Sequence, residues 1–569
     1  MSINYKLLLG VFIGLACVML APNLVYGVRE AHDIRYHLSL FLSYRDAVEL
    51  GTLYPRWLPD QLQGLGSPAL MIYPPLSAAL FVLIDFLTFH ALTPERVLGL
   101  GALMLSIASA ITFYVWARNY ACARLGLIAA LFYATAPYHL NLDLYNRGAM
   151  AEYTTFVWIP LIFLGIRTTI LNGGVKGPAL LAISTSVLLL THLLTAMLIA
   201  PMALAYALIC LRMELPAGLR IRRFVLVGIT AVLGAGLVAF YYVPALLFMP
   251  EINSAGLDRD VATYNIFTAL GSLTDRFKLK LLAIACAYLV FFLYLLAETV
   301  SNWRKQRALT ATTALALMWV IFGILSFALM SGMFPYVFRP PSPYAQTQFG
   351  WRLLMVMEFA LVSLYVCTAA GLQQAASRSR LLKVGAIVLL MLATWQAIDI
   401  TKRFRNDAFS ADLLQDEGHV KRRLSAIEYF PIGTNVKQKV ENAIKPFEQY
   451  AISTQPAFID SNKGKLVEAT RKGAQFTVHS IANEPTPIMI QQFYFPGWKA
   501  LDEQGTEIAV FRDEASSLAS YVVPAGEHTI VVKRVLTKQE HWGNMISLVA
   551  LFLLILNFGY LIRRCQTGK

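Results

Sequence analysis

Apolar runs close to the roughly 20 residues that a helix needs to cross a bilayer recur along this chain, and they limit its fold more than any other feature. Short polar or basic stretches separate them; 57% of the 569 residues are hydrophobic and only 14% are charged. In hydrocarbon every backbone N–H and C=O needs a partner within the protein, so long apolar runs without two-residue alternation imply helices. The expected fold class is a polytopic α-helical membrane protein. The first run, 7–27, is too long and its lead too short for a cleaved signal, and no small-residue cleavage pattern precedes Arg29. A retained helix is expected there.

A net charge of +14 raises the question of nucleic acid. The basic residues, however, gather in short clusters between apolar runs: Arg118 with Arg124, Arg167 with Lys176, Arg220 with Arg222 and Arg223, Arg304 with Lys305 and Arg307, Arg378 with Arg380 and Lys383, and Arg563 with Arg564 and Lys569. That is the positive-inside distribution of a membrane protein, and no nucleic-acid partner is expected. Cys17, Cys122, Cys210, Cys286, Cys367 and Cys565 lie in or beside the runs, which argues against a disulfide framework.

Each cluster follows an even number of crossings if 76–92, which holds Asp85 and His90, is a juxtamembrane or re-entrant helix on the outer side. The spans are then 7–27, 97–116, 125–138, 153–166, 178–190, 193–210, 224–248, 281–296, 308–330, 353–372, 384–398 and 545–562. That gives about twelve helices with both termini cytoplasmic. Some are short, which implies bent or broken helices around a cavity. The domain organisation follows: a transmembrane domain over 1–400, an extracytoplasmic domain over 401–543, and a last helix and tail over 544–569. The middle piece reads as charged helix and loop to about 455. From 465 the runs AQFTVHSI, PIMIQQFYF, TEIAVF, ASYVV and HTIVVKR alternate in polarity between turn residues, predicting a small antiparallel β-sandwich.

Ionisable residues concentrate in the first outer loop, 28–95. Asp33 and His37 are four apart and share a helix face, with Glu30 one turn earlier and His32 adjacent. A carboxylate here suits a general base for an acceptor hydroxyl, or a metal ligand with the histidines; equally, these are solvated residues at a membrane interface. Arg45, Asp46, Arg56 and Asp60 continue the series. In YNRGAMAEY, 145–153, Arg147 beside Gly148 can approach a phosphate, and Glu152 opens a span; the two can also simply pair. QFGWRLL sets Trp351 and Arg352 at the mouth of another span, as a phosphate grip or as interfacial anchors. His192, between two apolar runs, fits helix packing better than ligation. The stretch 250–280, with Glu251, Asp258, Arg259, Asp260, Asp275 and Arg276, is long enough for a lid. No HExxH, CxxC, Walker or dinucleotide motif occurs, so ATP-driven transport has no support.

HDIRYH, YPRWLPDQLQGLGSPALMIYPPL, APYHLNLDLYNRGAMAEY, THLLTA and QFGWRLL occur in this order over 7–372. Together they resemble the membrane protein family labelled "6-pyruvoyl-tetrahydropterin synthase related", which is similar to the GT-C class of polyprenyl-phosphate-sugar-dependent glycosyltransferases. FYFPGWKA and VPAGEHTIVV resemble β-domains of related bacterial membrane proteins, with Trp498 packed between sheets.

The resemblance implies sugar transfer from a polyprenyl-phosphate donor to a cell-envelope glycan, lipid or protein, outside the cytoplasm of a bacterium whose inner membrane holds the chain. It assigns Asp33 as the general base, with Glu30 and Glu152 as further acids, and Arg147, Arg352 and Arg56 as holders of the donor phosphate. His32, His37, Tyr73, Tyr145 and His192 would line the pocket. Some GT-C enzymes use a divalent cation, Mg or Mn; Asp33, His32 and Glu152 are the candidate ligands. Gly350 stands where a Pro is expected before the Trp of QFGWRLL, which leaves a looser turn ahead of Arg352. Two other functions remain open: a non-catalytic envelope assembly protein working through its β-domain, and a lipid-linked sugar transporter.

Overall fold

The computed structural model describes residues 5–567 except 173, 254–264, 272–273, 340, 348, 407–428 and 432–452. Asp258, Arg259 and Asp260 of the expected lid, and most of the linker over 401–455, lie outside the described residues. What is described is a polytopic helical membrane protein with a C-terminal β-domain.

A helix occupies every expected span. They are α1 Tyr5–Tyr26, α5 Pro94–Ala117, α6 Ala123–Ala134, α7 Met150–Leu171, α8 Lys176–Thr191, α9 Leu193–Glu214, the pair α10 Ala217–Gly236 and α11 Ala239–Leu247, α12 Arg276–Gln306, α13 Ala311–Met330, α14 Leu353–Gly371, α15 Ala375–Asn406 and α16 Lys538–Thr567. Among the described residues eight helices are long and apolar enough to cross a membrane, or nine with α10 and α11 as one span bent by 70°. Of the expected spans, α6 with 12 residues and α8 with 16 are shorter than that measure requires. α14 is buried from Leu353 to Ala369 on all sides, as a helix apolar all round its circumference should be at the centre of a bundle.

Two short helices, α2 Ile34–Glu49 and α4 Leu76–Leu87, lie between α1 and α5, with the single turn α3 Ala69–Ile72 between them. The 12 residues of α4 span about 18 Å, too little to cross a bilayer core. Its buried Asp85 is held by His90 at 2.7 Å.

The basic loops around Asn119, Arg167 and Arg223 meet at one end of the bundle. Arg167 pairs with Glu214 at 2.7 Å and reaches Asn119 at 3.2 Å, while Arg223 donates to the carbonyl of Asn172 at 3.0 Å. α7 runs about 33 Å from this end to Met150. At that far end sits the β-domain.

The β-domain holds two antiparallel sheets. One has the order β1-β4-β8-β7 and the other β2-β3-β9-β5-β6, with β1 Ala457–Ile459, β2 Gly464–Lys472, β3 Gln475–Ala482, β4 Thr486–Phe493, β5 Trp498–Leu501, β6 Glu507–Ile508, β7 Val510–Arg512, β8 Leu518–Val523 and β9 Gly526–Arg534. Alternation along β3, where Phe476, Val478, Ser480 and Ala482 are buried, turns one face inward. Val478 and Ile530 meet Ile490, Tyr521 and Leu518 of the other sheet in one core, which is the sandwich that the sequence texture predicts.

That core extends into the first loop. Trp57, Leu62, Leu65, Met71 and Ile72 belong to the same apolar cluster as the strands. Trp57 donates to Gln492 Oε1 at 2.6 Å, Gln492 returns its amide to the carbonyl of Gly64 at 2.9 Å, and the Phe493 amide donates to the Leu65 carbonyl at 2.6 Å. Gly66, at φ +83°, is needed at this contact, since a Cβ there would lie 2.5 Å from the Trp57 ring. The expectation that all of 28–95 forms an active-site loop is therefore corrected. Its first part and Tyr73 face the ionisable cluster, while 57–72 is the berth of the β-domain. Trp498 does not simply lie between sheets: its ring meets Trp57 at 5.7 Å and so faces the berth.

Candidate active site

The stretch between the expected spans 125–138 and 153–166 is a buried π-helix over Pro137–Arg147 that joins α6 to α7. Pro137 opens it, and Gly148, at φ +63°, closes it. Eleven residues of π-helix are unusual, since this winding occurs mostly as single turns, and it has support from outside. Glu358 of α14 provides it, accepting the Tyr138 amide at 2.9 Å, the His139 amide at 3.2 Å and the Tyr288 hydroxyl. A buried carboxylate here meets the free N–H groups of the helix start.

The winding delivers Arg147 into a cluster of acids. Its Nη1 lies 2.5 Å from Asp143 Oδ1 and 2.7 Å from Glu152 Oε2, its Nη2 lies 3.6 Å from Asp33 Oδ2, and the guanidinium sits 4.8 Å over the Trp351 ring. Glu152 also accepts from the Tyr138 hydroxyl at 2.5 Å and lies 3.5 Å from Arg352 Nε. Arg352 continues to the Thr347 carbonyl at 3.2 Å. Asp143, Arg147, Glu152 and Arg352 are buried, whereas the Asp33 side chain keeps 45% of its exposure. Asp33 is thus the one carboxylate of the three that incoming solute can touch.

Burial, with the neighbouring Glu152 carboxylate next, pushes Asp143 well above the usual carboxylate range, and its Oδ2 has no partner among the described residues. Asp143 nonetheless stays 2.5 Å from Arg147, so three acids and two arginines share the cluster. Both arginines are engaged by carboxylate, so neither is an empty phosphate grip. Gly148, expected to open a path to phosphate, instead lets two chain segments touch: a Cβ there would stand 2.8 Å from Ile34 Cβ.

The other expected residues divide. His37, Tyr73 and His192 border the cluster. His37 is buried, its ring 6.0 Å from Tyr73 and 5.8 Å from Tyr36, and Tyr36 stacks on Tyr429 at 5.7 Å. Burial pulls the His37 imidazole down to about 4, although nearby Asp33 acts in the opposite direction. His192 caps α9, its Nδ1 2.8 Å from Thr195 Oγ1. His32 points elsewhere, edge-on to Phe277 at 5.5 Å. Glu30 is gripped by Arg35 at 2.6 and 2.7 Å. Tyr145 accepts from Asn23 at 2.7 Å and anchors α1. Arg56 is 3.4 Å from Glu540 of α16 and donates to the Phe240 carbonyl at 3.1 Å, while Glu540 also binds Arg534 at 2.9 Å. Arg56 therefore ties the berth, α11, β9 and α16 together, away from Arg147.

Among the described residues no group of three or more His, Cys, Asp and Glu is arranged to hold a metal ion. Of the candidate ligands, Asp33 and Glu152 turn to the guanidinium of Arg147 and His32 turns to Phe277, so this set does not fit a divalent cation. Asp143, Tyr138 and Glu358 were missed by sequence reasoning. Asp143 lies four before Arg147, a spacing that signals pairing on a helix but not in a loop.

No protein-family model matches the sequence, and no curated protein matches it. Solved structures similar to this chain include the arabinofuranosyltransferase AftD from Mycobacteria, at 14% identity and a TM-score of 0.43, covering 70% of this chain and 28% of that one. They also include the oligosaccharyltransferase of Archaeoglobus fulgidus in the apo form, at 14% identity and a TM-score of 0.38, covering 74% and 60%. The same enzyme with Zn and sulfate gives 13% identity and a TM-score of 0.36, covering 79% and 57%. This chain thus spans less than two thirds of the length of each.

Proposed function

We propose that the protein is a GT-C-like membrane glycosyltransferase. It moves a sugar from a polyprenyl-phosphate donor to a glycan, lipid or protein of the cell envelope, on the extracytoplasmic side of a bacterial inner membrane. The observation that carries this reading is a half-exposed carboxylate, Asp33, 3.6 Å from a buried arginine that also pairs with Asp143 and Glu152, at the β-domain end of the bundle. The ordered motifs over 7–372 support the same reading, and the buried Glu152 serves as a second acid that fixes both arginines.

In this mechanism Asp33 takes the proton of an acceptor hydroxyl as its oxygen bonds to the anomeric carbon. The bond from that carbon to the donor phosphate oxygen breaks, and the lipid phosphate leaves with the electron pair. Arg147, 3.6 Å from its carboxylate, keeps Asp33 aimed. Its Asp143 and Glu152 contacts prevent it from collapsing onto Asp33 as a closed bidentate pair. One displacement inverts the anomeric centre.

The test is a panel of radiolabelled polyprenyl-phosphate sugars offered to membranes containing the chain with a broad envelope extract, the product's anomeric configuration being read by NMR. Transfer with inversion is expected. Transfer with retention, or none from any donor, contradicts the proposal.

A further inference from the structure

Beside the acid cluster lies a cavity of about 900 Å³ whose lining shares only Glu30 and His32 with the expected site residues. It opens between the start of α12, the end of α15 and the chain leaving α1. Four cations line it, Arg276, Lys280, Lys402 and Arg403, against two carboxylates, Glu30 and Asp399.

Those carboxylates are already taken. Arg35, which is not part of the lining, grips Glu30 at 2.6 and 2.7 Å. Asp399 accepts from Lys280 at 2.8 Å and lies 3.3 Å from Arg403 Nε, and Asn141 of the π-helix donates to it at 3.0 Å. Arg276 and Lys402 form no ion pair with any described residue. The wall thus holds a fixed Lys280–Asp399–Arg403 lattice and two cations that face the cavity without a counter-charge. A concave site with excess positive charge and ready N–H donors selects an anion with several oxygens.

Its position relative to the acid cluster gives that anion a role. His32, one residue before Asp33, and Asn146, one residue before Arg147, line the cavity and are joined by a backbone hydrogen bond of 3.4 Å. The edge-on pair of His32 and Phe277 supplies an aromatic wall. An anionic group bound here lies next to the general base but not on it, while Arg147 and Arg352 are held by Glu152.

We propose that this cavity seats the phosphate or diphosphate of the lipid-linked donor, on Arg276, Lys280, Lys402 and Arg403. The identity of the donor lipid rests on the glycosyltransferase reading; the preference for a phosphate-bearing headgroup rests on the cavity alone.

The test is direct binding to the detergent-purified full chain, read by calorimetry, with farnesyl phosphate as probe and farnesol, inorganic diphosphate and phosphatidylglycerol vesicles as comparison arms. Wild type, Arg276→Gln/Lys402→Gln and a control at the opposite end, Arg304→Gln/Lys305→Gln, are compared after matching their thermal unfolding. Loss of two charge-assisted contacts is expected to weaken farnesyl phosphate about tenfold or more, with the control unchanged and farnesol indifferent to the variants. Competition by inorganic diphosphate, lost in the same variant, supports a seat for phosphate itself. Equal affinity of wild type and Arg276→Gln/Lys402→Gln overturns the proposal. Phosphatidylglycerol binding as tight and as charge-dependent as farnesyl phosphate overturns the donor assignment in favour of a general anionic-lipid site. Charge-dependent binding by a chain that transfers no sugar keeps the seat and rejects the transferase reading. Sugar transfer with an unchanged KM in the double variant rejects the seat and keeps the transferase.

Discussion

The amide of Asp33 donates to the carbonyl of Arg147 at 2.6 Å, so acid and guanidinium are joined through the main chain as well as by the 3.6 Å approach of their side chains. The first residue of one segment and the last residue of a π-helix are thereby held in one geometry, 114 positions apart in the chain. Side-chain rotation at Asp33 can change the ion pair, but it cannot move the two backbones apart.

Gly148 permits that contact. Alanine there must adopt φ +63° and place its Cβ 2.8 Å from Ile34, so Gly148→Ala should destabilise by about 1 kcal/mol from the backbone alone and more from the clash. Thermal unfolding in detergent is expected to fall and transfer to drop at least about tenfold. Gly218→Ala, in a helix where nothing lies within 4 Å, is the control and should lower neither.

Arg147 compensates buried carboxylate, and its removal leaves Glu152 with only Arg352. Arg147→Met should cost about 3–5 kcal/mol, the range for breaking a buried ion pair on one side. Adding Glu152→Gln should recover part of that loss, which denaturation of the single and double variants measures as a coupling.

The berth of the β-domain is a separate cooperative contact. Trp57→Ala empties a buried indole site and removes the donor to Gln492, at a cost of about 3 kcal/mol. Limited proteolysis should then release the β-domain faster while the helical bundle stays intact. An unchanged cleavage rate contradicts the berth.

His37 sets an acid limit on stability. With its folded value lowered to about 4 against an ordinary 6.5, the unfolded chain binds this proton more tightly. Its contribution is complete above pH 6.5 and is lost as pH falls through 4, by up to about 3 kcal/mol. His37→Phe should flatten the unfolding profile between those limits, and an unaltered profile contradicts a neutral buried imidazole.

Helices and strands were legible because each depends on local periodicity: the apolar runs became α5, α7, α9 and α12 to α14, and alternation became β3, β8 and β9. Arg147, Glu152 and Arg352 were legible as charged residues at span ends, and pairing of Arg147 with Glu152 was one of the two readings open at that stage. Their number of partners was not legible. Asp143 joins them through a π-helical winding whose hydrogen bonding local sequence does not announce, and Glu358 supports that winding from 220 residues away. The role of 57–72 was hidden for the same reason: Trp57 finds Gln492 435 positions later. Arg56, a phosphate holder by the family resemblance, is drawn to the equally remote Glu540.

The most direct measurement is sugar transfer by wild type, Asp33→Asn and Glu30→Gln at matched protein levels, with the donor that the panel identifies. Asp33 is the exposed acid beside Arg147, whereas Glu30 is closed by Arg35. Loss of a general base predicts a fall of at least about a hundredfold in Asp33→Asn, with Glu30→Gln near wild type. Wild-type transfer by Asp33→Asn, or loss confined to Glu30→Gln, would contradict the assignment of Asp33 as the base.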